Sequence, residues 1–309
     1  MNTKFARYAF VAALAAVAAG CGQSQTAAPG AAAEAPAAPT TPDGALGASV
    51  QALRSNNVAA FLDNALPAAE VAKMKADWSK EINKDPVTEE DRKQFAETMT
   101  KLTAPDAEAK MYAELEPKLK EFDAQSAAQM PMMIAMGQGF AQSSIQQNKD
   151  LNDSQKQQAQ AMIDATAKWA QSTKFTDPAL VKNAIGVICK TARELNLKTV
   201  DEARALSYDQ AMQKAGIVLG GVKQVLAVYG LNLDKSLDTV KFETVSSAGD
   251  TAKVKITYTA FDQPFTTESD VVKVDGRWYG KQAVDQWKKR EQEGAAGAVA
   301  ADKPAESKG

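Results

Sequence analysis

Apolar positions recur at three- and four-residue spacing from about residue 46 to residue 229, the period of helices that each bury one face. The pattern and its breaks predict helices over 46–55, 57–64, 67–83, 88–102, 105–125, 128–147, 153–171, 178–195, 199–205 and 208–229. Several starts carry capping chemistry. Thr88 is followed by Glu89, Glu90 and Asp91, which places acid in a first turn. Asp177 puts an acceptor before a first-turn proline, Pro178. Thr199 with Glu202, and Ser207 with Gln210, fit capping boxes. In the last helix Met212, Ala215, Ile217, Leu219, Val222, Leu226 and Val228 spread widely round the axis, so it should be central. Gly216 and Gly220, four apart, would let another helix approach closely. The stretch from Gln142 to Gln160 has few apolar residues and reads as an exposed helical hairpin turning near Asn148 to Asp153.

The period then shortens to two. Val240, Phe242 and Thr244 alternate within Leu237 to Val245, and Ser246 to Asp250 reads as a turn. Thr251 to Ala260 sets Val254, Ile256 and Tyr258 on one face, with Lys253, Lys255 and Thr257 on the other. Phe265 to Val274 is a third strand. Asp275-Gly276 is a hairpin-turn signal leading into Arg277, Trp278 and Tyr279. Gln282 to Glu293 closes as a short charged helix. The expected fold class is α+β, a mostly helical body with a small C-terminal antiparallel sheet. The helical region spans 45–235, and the strands with their terminal helix span 236–293.

The first twenty residues follow another logic. Lys4 and Arg7 precede an uncharged apolar run from Tyr8 to Ala19, and small residues lead to Cys21. This is the order of a secretory signal, and the run is shorter than the roughly 20 residues of a membrane span. Ala18-Ala19-Gly20-Cys21 resembles a bacterial lipobox, with Ala18 where leucine is commonest. The resemblance implies a signal peptide over 1–20, cleavage after Gly20, diacylglycerol on the Cys21 sulfur, and acylation (palmitate-type) of the new amino group. The alternative is an ordinary secreted protein cut nearby. Several acyl chains anchor stably where one does not. Gly22 stands where aspartate would resemble an inner-membrane retention signal, which favours the outer membrane. Residues 21–44 then form an Ala/Pro tether. The 21 residues from Gly22 to Pro42 carry one charge, Glu34. They would reach about 25 Å as a coil and about 65 Å in polyproline geometry. A similar composition from Gly294 makes 294–309 a disordered tail.

Charge and composition narrow the chemistry. Without Lys4 and Arg7 the 36 basic residues become 34 against 38 acidic ones, a mature charge near −4. This mild, mixed balance gives no reason to invoke nucleic acid. The apolar stretch Ala215 to Leu231 is interrupted by Lys223 and Gln224 and reads as a buried helix. With Cys21 lipidated, Cys189 has no disulfide partner and reads as a small buried hydrophobe near Ile185, Ile188 and Ala192. The chain contains no histidine. That removes Ser-His-Asp and Cys-His catalysis, His-ligated zinc and the commonest neutral-pH base. Acidic pairs such as Glu89-Glu90 and Glu114 with Glu116 read as helix starts or solvated faces.

The strand block TAKVKITYTAF through DVVKVDGRWYGK resembles the closing strands of the nuclear-transport-factor-like cone folds and related small envelope lipoproteins. The opening SVQALRSNNVAAFLDNALP is similar to their first helices, which would leave about 150 residues as a helical insertion. The resemblance implies a cone whose mouth binds small molecules. The Asp or His acid–base pair found in some members maps to no residues of this chain.

One local pattern stands out, QMPMMIAMGQGF, with Met130, Met132, Met133, Met136 and Phe140. Methionines fill irregular cores or build adaptable contact surfaces, and their thioethers also select Cu(I). With Trp278, which reads mainly as an anchor of sheet to helices, these six are the candidate ligand or partner residues. The expected function is a membrane-anchored envelope lipoprotein that binds or scaffolds, with no catalysis and no cofactor. Its partners would be the membrane through its lipid, and an envelope protein or a small apolar ligand. One alternative is a carrier with a pocket lined by Met130, Met133, Phe140 and Trp278. Another is Cu(I) binding through Met132 and Met136.

Overall fold

A computed structural model of the chain describes residues 39–126, 129–149 and 151–289. The proposed leader, Cys21, most of the tether and the tail lie outside the described residues. The fold is α+β, mostly helical with a four-stranded antiparallel sheet at the C-terminal end. The helices are α1 (Pro42–Arg54), α2 (Val58–Ala65), α3 (Ala68–Ile82), α4 (Glu89–Thr103), α5 (Ala107–Ser126), α6 (Met130–Gln147), α7 (Asp153–Ser172), α8 (Pro178–Leu195), α9 (Val200–Arg204), α10 (Tyr208–Val228) and α11 (Leu233–Leu237). The strands are β1 (Lys241–Ala248), β2 (Thr251–Ala260), β3 (Gln263–Val274) and β4 (Arg277–Gly280). Residues 281–289 form a final helical segment.

The boundaries follow the caps. Thr88 accepts from the Asp91 N–H while the Asp91 carboxylate accepts from the Thr88 N–H, and Thr199/Glu202 and Ser207/Gln210 do the same. Asp177 accepts from the N–H groups of Ala179 and Leu180. The short α11, started by Asn232, has no counterpart in the sequence expectations.

The sheet is a meander in the order β1-β2-β3-β4. The turn expected over Ser246 to Asp250 is tighter than its composition suggests. Ala248 pairs with Thr251, so only Gly249 and Asp250 turn, and Gly249 takes φ +60°. A bulge between Thr244 and Ser246 absorbs the extra residue and leaves Val245 exposed. Asp275-Gly276 turns as expected, with both φ positive. So does Phe261-Asp262, at φ 51° and 58°.

Helix α1 lies across the sheet. Ala45 and Val50 pack with Val240, Val254, Ile256, Val271 and Trp278. The C-terminal end of α1 is bound to the helical body by charge. The buried Lys223 ammonium on α10 donates to the Leu53 carbonyl at 2.5 Å and to Asp234 at 2.6 Å, and Arg54 reaches Asp238 at 2.7 Å. Lys223 thus closes off carbonyls that the end of a helix leaves without partners. Helix α10 is central in the body, against α2, α3, α8 and α11. Its buried stripe starts bulky, with Tyr208 and Met212, and continues small, with Gly216, Gly220 and Gly221, while Val222 is exposed. Gly216 and Gly220 do admit a close neighbour, but it is a turn and not a helix. Both lie against Asn56, between α1 and α2, which holds a left-handed φ of 57°. On the far side α8 sets Val181, Ile185 and Cys189 against α5.

Candidate functional site

Helices α6 and α7 form the antiparallel hairpin that the polar stretch 142–160 suggests, with its turn between Gln147 and Asp153. Pro131 opens α6 in its first turn, where the missing N–H is harmless. Asn152 and Gln155 open α7 with a capping box. The inward face of α6 carries Ile134, Gln138 and Ala141, which meet Met162, Ile163 and Thr166 of α7 along an open groove of about 290 Å3. Polar stitches fix the register. The side-chain amides of Gln138 and Gln142 both donate to the Asp164 carboxylate, at 2.7 and 2.8 Å, and Lys156 donates to the Gln146 carbonyl at 3.0 Å.

The hairpin is held to the body through α7. Ala165 and Met162 pack on Ala260 and Phe265 of the sheet. The Trp169 indole N–H donates to the Tyr229 carbonyl at 2.8 Å, and its ring meets Phe175 and Phe261. Phe261 sits in a left-handed turn that aromatic residues rarely adopt. Its ring contact with Trp169 offsets part of that strain. This aromatic latch joins α7, the end of α10 and the β2–β3 turn.

What the latch presents is the outward face of α6. Met132, Met136 and Phe140 lie four apart on one line, with Met133 beside them. They are 68%, 70%, 77% and, for Met133, 56% exposed. Met130 is half-buried at the start of the helix. The helix has no charged residue from end to end. Trp278 does not join this group. It is buried under α1, its N–H donating to the Thr40 carbonyl at 3.2 Å. The structure therefore brings Met132, Met133, Met136 and Phe140 together on a surface, leaves Met130 half-buried outside that group, and places Trp278 in the core as the anchor of the sheet. The sequence reading did not single out Trp169, Phe175, Tyr229 or Phe261, which position the hairpin. Each lies near a helix end or in a turn, where spacing carries no signal.

Other candidate groups are occupied. Glu89 pairs with Arg92, Glu114 with Lys101 and Glu116 with Lys120. Cys189 is fully buried, its sulfur 3.6 Å from that of Met111, and burial pushes its thiol pKa up, away from reactivity. Ile188, its sequence neighbour, is exposed. A polar cleft of about 460 Å3 opens between α3 and the α9–α10 connection, lined by Trp78, Asn83, Asp201, Arg204 and Gln210. Arg204 donates to Asn83 there, and Asp201 is paired with Arg92. Among the described residues no helix is long and apolar enough to cross a membrane, and no cluster of three or more His, Cys, Asp or Glu side chains is placed to hold a metal ion.

No family model, curated protein or solved structure matches this chain. The cone-fold resemblance of the closing strands therefore rests on those strand and helix motifs alone.

Proposed function

We propose that this chain is a bacterial envelope lipoprotein, anchored by lipid on Cys21, that works by binding a partner through the outward face of α6 and performs no catalysis. The observation that carries the binding reading is the exposed, uncharged line of Met132, Met133, Met136 and Phe140. At about 200 Å2 for each side chain these four present on the order of 500 Å2 of contiguous apolar surface. That is near the upper end of what a lone soluble chain exposes, and such patches are often contact sites. Flexible thioethers suit a face that must adapt to a partner.

The layout supports a tethered body. The chain enters α1 beside Trp278, which pairs with Lys273 near the end of β3, while α7 docks by Phe265 near its start. Eight residues of strand separate these points, about 26 Å. The tether would thus hold one end of the sheet and leave the hairpin, at the other end, free to engage.

Labelling tests this reading. Met136→Cys, made in the full chain, is treated with a maleimide in intact envelopes and again after purification. Lys80→Cys, exposed on α3, is the reference. Protection of position 136 in the envelope, relative to position 80, is the expected result. Equal labelling in both settings overturns the binding face.

A further inference from the structure

We infer that the partner for this face is a second copy of the chain, joined through an antiparallel, two-fold α6–α6 contact. The inference rests on the binding face proposed above. Three features of α6 point to its own copy. The first is charge. In a two-fold contact each residue near the axis meets itself, so any charge there repels its twin. The mature chain is net acidic, yet α6 runs 18 residues with none.

The second is glycine without an internal reason. Gly137 and Gly139 sit inside α6, where each costs roughly 1 kcal/mol of helix stability against alanine. A methyl group on either would meet nothing within 4 Å; Gly137 lines the groove towards α7, and Gly139 is the one on the outward face. The fold itself does not need the space, whereas a closely approaching helix would.

The third is shape. The bulky residues Met132, Met136 and Phe140 recur every fourth position along the outward face, with Met133 beside them, and small ones, Gly139, Ser143 and Ser144, lie between and after them. Antiparallel pairing about residues 137–138 sets Met136 opposite Gly139 and Met132 opposite Ser143 of the other copy. The same register sets Phe140 opposite Ala135, so Met132, Met136 and Phe140 each face a small residue, twice over. Two such faces bury on the order of 1,000 Å2 in total, at the lower limit for a specific interface. The contact is therefore weak in free solution, and two chains tethered to one membrane gain the effective concentration it needs.

The test is a disulfide that forms only in this register. Residues 132 and 143 lie about 16 Å apart along one helix, so Met132→Cys/Ser143→Cys cannot close within a chain. Full-length protein carrying both changes is oxidised mildly in intact envelopes with copper phenanthroline. The expected product is a covalent species of twice the chain mass, at least tenfold more abundant than from Met132→Cys or Ser143→Cys alone. Adding Met136→Glu or Met136→Lys should abolish it, and co-expressing the two charge variants should restore it. No dimer, or equal yields from the single variants, overturns the inference. If dimer is absent while position 136 remains protected from maleimide, the face binds something else and only the second-copy inference falls. If both signals are absent, the binding face falls with it.

Discussion

The close approach of α10 to the turn at Asn56 can be tested by two glycine substitutions of opposite expected sign. Gly186 lies inside α8 with nothing within 4 Å of where a methyl group would sit. Gly186→Ala should therefore gain most of the intrinsic advantage of alanine in a helix, about 0.5–1 kcal/mol. Gly216 lies inside α10 with its would-be methyl less than 3.0 Å from the Asn56 carbonyl oxygen. That oxygen belongs to backbone and cannot swing aside like the end of a side chain. The turn is also held, by the Asn57 N–H on the Ala52 carbonyl at 2.8 Å and by the Asn56 N–H on the Leu53 carbonyl at 3.1 Å. Forcing a methyl group into such a site costs about 2–3 kcal/mol, so Gly216→Ala should be net destabilising by about 1–2 kcal/mol after the propensity gain. Urea unfolding of the full chain, followed by far-ultraviolet circular dichroism, measures both. The midpoint should fall for Gly216→Ala and rise for Gly186→Ala at constant slope. A Gly216→Ala midpoint at or above wild type would refute the packing of α10 on the turn.

Two further substitutions probe the charges that join the elements. Lys223→Met should lower stability by about 2–3 kcal/mol, because the Leu53 and Arg54 carbonyls lose a buried donor while Asp234 keeps only Arg54; a change below about 0.5 kcal/mol, the scale of an ordinary surface substitution, would show that the ammonium does not cap α1. Glu108 on α5 accepts both Arg193 Nη atoms, at 2.7 and 2.9 Å, and this bond from Arg193 holds its carboxyl below the usual range. Its contribution is complete above the ordinary glutamate value near ~4.3 and is lost as pH falls through the lowered folded value. Glu108→Gln should therefore flatten the acid limb of stability against pH in urea midpoints taken from neutral to strongly acidic buffer, and parallel curves for the two proteins would count against the clamp.

The helices were largely legible because their starts are written locally. Thr88, Asp177, Thr199 and Ser207 each bring their partner within three residues. The sheet was legible from its alternation and from Asp275-Gly276. The Val245 bulge was not, since an extra residue in a strand looks like the start of a turn. The ties between elements left no local trace, because Arg54 and Asp238 lie 184 residues apart. Lys223 reads in the sequence only as an interruption of an apolar run. The site was half legible. The methionine cluster is plain in the sequence, but methionine suits a core as well as a surface. What places it outside is the opposite face of α6, where Ile134 and Ala141 make the contact with α7. A helix apolar on two faces has one to spare. Trp278 was read in two ways, and its place under α1 agrees with the anchoring role.

The anchor and the partner meet in one measurement, the intact mass of wild-type protein and of Cys21→Ser, both taken from envelopes, under denaturing and native conditions. The account expects wild type to begin at Cys21 and carry acyl mass that Cys21→Ser lacks. It also expects a second chain to appear in the native spectrum of wild type alone or more abundantly than in that of Cys21→Ser. Wild-type protein without acyl mass would contradict the anchored lipoprotein at its root.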